Sequence, residues 1–181
     1  MGHMKTSRFF RLTLGLGLLA GGVALAESQD PVISVRLPTA SYNVKLTGKD
    51  VVSQAIQLSH SPKEMRGRVA DSPTVITFKD GEANGTIGGT AVKLKIKTEG
   101  NTVKAEGGFA GGPVELSYSP TELTVYIHDC TYRLKNNSEG TYVGRRSCDR
   151  AYQRDTEVDI PEIFEQLSPA EQATLLLLSL G

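Results

Sequence analysis

The chain has no tryptophan, only two cysteines and only three histidines among its 181 residues, and neither sign of charge is in excess. Each scarcity removes a class of chemistry. With no Cys-x-x-Cys pair, neither a dithiol redox motif nor a thiolate zinc site can be assembled. His3, His60 and His128 stand too far apart for zinc-ligand spacing. No Gly-x-Ser-x-Gly elbow, no Gly-Lys-Ser/Thr phosphate loop and no twelve-residue calcium loop occurs. No catalytic residue, metal or cofactor is therefore expected. Twenty basic residues balance twenty acidic ones along the whole chain, which argues against a nucleic-acid partner held by phosphate neutralisation.

The start of the chain has the pattern of an export signal. Met1 to His3 read as a vector remnant before a start at Met4. Lys5, Arg8 and Arg11 precede the apolar run from Leu12 to Leu25, and Ala24-Leu25-Ala26 supplies small residues for a signal peptidase. The run is shorter than the roughly 20 residues of a membrane span. Residues 1–26 are thus expected to be remnant plus cleavable leader, and 27–181 a single β-rich domain, periplasmic or secreted. The leader takes three basic residues with it, leaving a net charge of −3. In an oxidising compartment Cys130 and Cys148 are expected to form a disulfide.

The middle of the chain repeats. The segment beginning at Gly67 aligns with one at Gly85, another at Gly107 and a weaker one at Val125, spaced 18 to 22 residues apart. Each reads as a strand, a small-residue turn and a second strand. Val92, Leu94 and Ile96 alternate with Lys93, Lys95 and Lys97, and Val114, Leu116 and Tyr118 alternate with Glu115 and Ser117. A period of two with one apolar face is that of a half-buried antiparallel strand. Gly88-Gly89 and Ala110-Gly111 supply hairpin turns. About nine strands are predicted between Glu64 and Cys148, paired in order as an up-and-down meander, barrel-like or strongly curved. Gly67, Gly85 and Gly107 fall on the inward face, where glycine marks a sharp bend or a close approach to the backbone. Turning the chain within Lys135 to Thr141 brings Cys130 across from Cys148.

In the flanks, Val32 to Leu37 and Tyr42 to Leu46 alternate as strands, while Val51, Val52, Ala55 and Ile56 suggest a short helix over Lys49 to Leu58. Asp155, Glu157 and Asp159 are predicted to share one strand face, as edge-strand charges or, less favoured, calcium ligands. Residues 161–180 form a C-terminal helical segment, opened at Ser168-Pro169-Ala170-Glu171 by a capping box with proline at the first position. Leu175 to Leu178 and Leu180 make it apolar nearly all round. It must cover the sheet, plug the barrel, or meet another chain (self-association included) or a membrane.

The function expected is a non-enzymatic exported binding or structural module. A small hydrophobic ligand carried in an apolar barrel interior near Ile87, Val92, Phe109 and Leu116 is the alternative. A hydrolase built on His128 and Asp129 ranks last. Lys93, Lys95, Lys97 and Lys104 form the densest basic patch, read as a solvated face before an anionic-polymer site. Arg145-Arg146 reads as an exposed dibasic strand end, and His60 as loop. Asn84-Gly85-Thr86 and Asn136-Asn137-Ser138 match the glycosylation sequon.

Overall fold

A computed structural model describes residues 30–137 and 140–181; the leader and Ser138 lie outside the described residues. Fourteen antiparallel strands close into one barrel. They are β1 (Val32–Leu37), β2 (Ala40–Leu46), β3 (Asp50–Val52), β4 (Ile56–Ser61) and β5 (Glu64–Val69). There follow β6 (Ser72–Lys79), β7 (Glu82–Ile87), β8 (Thr90–Glu99), β9 (Thr102–Phe109) and β10 (Gly112–Tyr118). The last four are β11 (Glu122–Ile127), β12 (Cys130–Asn136), β13 (Thr141–Cys148) and β14 (Ala151–Asp159). Every strand pairs with the next, and β14 returns to β1. The stretch from Glu64 to Cys148 holds β5 to β13, the nine strands predicted there.

Turn chemistry makes this meander. Ala70-Asp71, Gly88-Gly89, Ala110-Gly111 and His128-Asp129 each place two residues at positive φ between paired strands. Two such residues twist the hairpin with the same hand as its strands. These four turns lie at one end of the barrel, called the upper end.

The strand glycines bend the wall. A Cβ on Gly85 would stand 1.9 Å from the carbonyl oxygen of Val75, and one on Gly107 would stand 2.1 Å from that of Lys93. Gly107 also sits at φ 144°, which side chains with a Cβ rarely adopt. Neighbouring backbones therefore close in on these positions, and the sheet curls there.

Two expectations are corrected. The segment Lys49 to Leu58 is not helical: it contains β3 and β4, joined by a turn in which Ser53 Oγ accepts from the amides of Ala55 and Ile56. Val51 is buried opposite Leu46 and Leu58, whereas Val52 faces out, so the apolar pair is split between two faces. The acidic strand β14 is not an edge but half of the closing seam. Arg36 of β1 reaches both Glu157 (2.8 Å) and Asp159 (2.7 Å). Asp155, at φ 58°, sits in a bulge where the register against Gly144 and Arg145 shifts, which takes it out of that row.

A 3-10 turn (Glu162–Gln166) crosses the lower end, and the helix α1 (Pro169–Leu180) then runs up the lumen. It lies against β7, β8 and β9 on one wall and β1 on the wall diametrically opposite. Ala170 to Leu177, Ser179 and Leu180 are all buried. A helix apolar on every side needs apolar partners on every side, and the lumen supplies them. Of the three outcomes open to the C-terminal segment, it plugs the barrel. Leu175 to Leu177 are turned into the lumen and not offered to another chain.

Candidate functional site

The disulfide and the lower end tie the barrel together. Cys130 and Cys148 face each other across the β12–β13 ladder and are joined. By the chain-entropy model a loop of this length contributes about 3 kcal/mol. At the lower end α1 starts with the capping box: Ser168 Oγ accepts from the amide of Glu171, and the Glu171 carboxylate accepts from that of Ser168 (2.7 Å). His60 Nε2 on β4 donates to the second carboxylate oxygen at 2.6 Å. Both side chains are nearly enclosed, with 10% and 4% exposure. Burial pushes the Glu171 carboxyl upward, but the His60 and Ser168 hydrogen bonds outweigh it and hold it below the usual carboxylate range. His60, read from sequence as loop, is thus a strand residue that ties the wall to the plug. Phe164 closes the end, its ring edge-on to Tyr118 at 5.5 Å.

The upper end is different. There α1 stops short of the rim and leaves a cleft of about 640 Å³ between its last turn and the ring of hairpin turns. The volume is that of a small-molecule site, about 300–1,000 Å³ in proteins generally. Its apolar walls are Val44, Ile56, Val69, Ile87 and Phe109, and its floor is Leu177 and Leu178. Leu178 is the one residue between Ala170 and Leu180 that is not fully buried, and it opens onto the cleft. Ser41, Asn43, Gln54 and His128 form a polar rim.

Ile87 and Phe109, expected from the alternation, therefore meet at the cleft. Val92 and Leu116 do not line it; they are buried in the core around the helix. His128 is exposed on its turn, and Asp129 is occupied by the hydroxyl of Tyr126 at 3.2 Å, so no oriented His–Asp dyad forms. Among the described residues no group of three His, Cys, Asp or Glu could hold a metal ion.

A polar cluster that sequence reading missed borders the cleft. Tyr132 on β12 is buried and donates to the carbonyl of Leu180 (3.0 Å), binding the end of the plug. Arg146 on β13 is opposite Tyr132 and stacks its guanidinium 5.5 Å from the ring centroid. Arg145 and Arg146 are therefore not an exposed pair: strand alternation sends Arg145 out and Arg146 in. A cation beside a helix C-terminus is favoured by the helix dipole. Tyr42, on the cleft wall next to this cluster, has its phenol pushed up to about 12, first by burial and then by Tyr132. No signal in the local sequence marks these three residues as neighbours; the ladder register pairs Tyr132 with Arg146, and Tyr42 meets them from another row of the wall. No family model, curated protein or solved structure matches this chain.

Proposed function

We propose that the protein is an exported, non-catalytic binding module that holds a small apolar ligand in the upper cleft. One observation carries this reading: a plug helix buried without a break from Ala170 to Leu177 leaves Leu178 partly exposed, beneath apolar walls in a recess of ligand size. The lumen below is filled by α1, so the ligand sits above the helix, against Ile87 and Phe109. The rim hydroxyls and amides would orient one polar end of it. Export is supported by the charged start, the short apolar run and the small residues before Glu27, and by a bonded cysteine pair of the kind oxidising compartments maintain.

Titration of the mature chain with the fluorescent apolar probe N-phenyl-1-naphthylamine checks this. Saturable binding is expected, and Leu178→Glu should weaken it by at least about tenfold, the factor for 1.4 kcal/mol of lost apolar contact. The unfolding midpoint should hardly change, because Leu178 already meets solvent. Probe binding that is absent, or indifferent to Leu178→Glu, would overturn the proposal.

A further inference from the structure

The register of the barrel assembles a row of side chains on its outer face that no stretch of sequence contains. Lys97 on β8 is opposite Lys104 on β9, which is opposite Ser117 on β10, then Thr124 on β11. Thr124 is opposite Arg133 on β12, Arg133 opposite Arg145 on β13, and Arg145 opposite Arg154 on β14. With strands about 4.8 Å apart, the row runs roughly 29 Å around the wall. Five of its seven members are cations, the two between them carry hydroxyls, and none is acidic.

Like charges directly opposite one another destabilise a sheet. The adjacent row alternates in part: Glu82, Lys95 and Glu106 change sign from strand to strand, and Glu106 then faces Glu115. Lys104 is paired to Glu99. Arg133, Arg145 and Arg154 are exposed, stand side by side, and among the described residues none makes an ion pair. Two shallow recesses follow part of the row. A recess of about 730 Å³ takes in Lys97, Lys104, Ser117, Thr124 and Arg133, and one of about 480 Å³ continues it past Thr124 and Arg133 to Arg145.

We infer that the row from Lys97 to Arg154 is a track for a linear anionic polysaccharide. Its acidic groups pair with the cations at both ends, and its hydroxyls bond to Ser117 and Thr124 between them. No apolar side chain of the row projects outward to enter a bilayer. Nucleic acid carries a far denser charge, about one per 1.7 Å of duplex. Tyr126 is the lone aromatic ring in the two recesses, too few for a base-stacking platform. A polymer that bears both carboxylates and hydroxyls offers partners to the cations and to Ser117 and Thr124 alike.

The test is affinity electrophoresis of the mature protein at low ionic strength in polygalacturonate, neutral dextran and a single-stranded oligonucleotide. Retardation by polygalacturonate alone, relieved by added salt, is expected. The double variant Arg133→Gln/Arg145→Gln should lose at least about tenfold in affinity, each charged hydrogen bond counting for more than a neutral one. Lys63→Gln/Lys79→Gln, which removes equal charge elsewhere, should bind as the parent does. All four substitutions are on exposed side chains, and matching circular dichroism and unfolding midpoints confirm that the fold is kept. No retardation in polygalacturonate, equal losses in the two double variants, or tighter binding of the oligonucleotide would each overturn the inference.

Discussion

The two ends of the barrel meet the same helix in opposite ways. At the lower end the chain crosses the opening, Phe164 fills it, and the first turn of α1 is bound by its capping box and by His60. At the upper end the helix is held on one side by Tyr132, on which Arg146 stacks, while its other side looks into an open cleft. A helix N-terminus buried at the bottom of a barrel has orphan amides that water cannot reach, so it must bring its own acceptors. Ser168 and Glu171 are those acceptors. The opposite end needs less protection because it faces the open cleft. Sealing is thus concentrated where burial demands it, and space is left where it does not.

Substitutions can break that contrast. The largest effect is expected at the middle of the plug, on which both ends depend: Leu176 is 0% exposed, and Leu176→Asp should leave the protein unfolded at room temperature. Circular dichroism would show it; a folded variant would mean that α1 is not required inside the lumen. The histidines come next. His60→Ala strands a buried carboxylate and should cost about 3 kcal/mol in urea unfolding. His128→Ala, on the exposed upper turn, should stay within about 0.5 kcal/mol. Equal costs would remove the distinction between the two ends.

The smallest and most specific effect is in acid. The Glu171 carboxyl is held below its ordinary range in the folded protein. Its contribution is therefore complete above the unfolded-state pKa of about 4.3 and is lost as pH falls through the lower folded value. The urea midpoint should fall more steeply below about pH 4 in the parent than in Glu171→Gln. Parallel slopes would show that the lower latch does not titrate.

Much of the wall is legible in the sequence because strand alternation and two-residue turns are local signals. Lys93, Lys95 and Lys97 could only point one way once Val92, Leu94 and Ile96 pointed the other, and Cys130 could only meet Cys148 once the turn between them closed. Local signals misled where two structures share one pattern. Val51, Val52, Ala55 and Ile56 suit a helix as well as two short strands; the Ser53 hydroxyl, by bonding two following amides, favours the turn. The candidate site was half legible: Ile87 and Phe109 reach the cleft, yet Val92 and Leu116, on the same inward face, lie at the level the helix fills.

By itself, then, the sequence determined the nine strands between Glu64 and Cys148, their order, the staple between Cys130 and Cys148 and the capped apolar helix, all of which depend on neighbours within about twenty residues. Only the tertiary structure decided that β14 closes on β1, that the helix enters the barrel and not a partner, that Arg146 turns inward, and that five distant cations share one outer row. Those outcomes depend on register carried from strand to strand around a closed ring. A side chain's neighbours across a sheet lie about 5 Å away in space, whatever their separation in the chain.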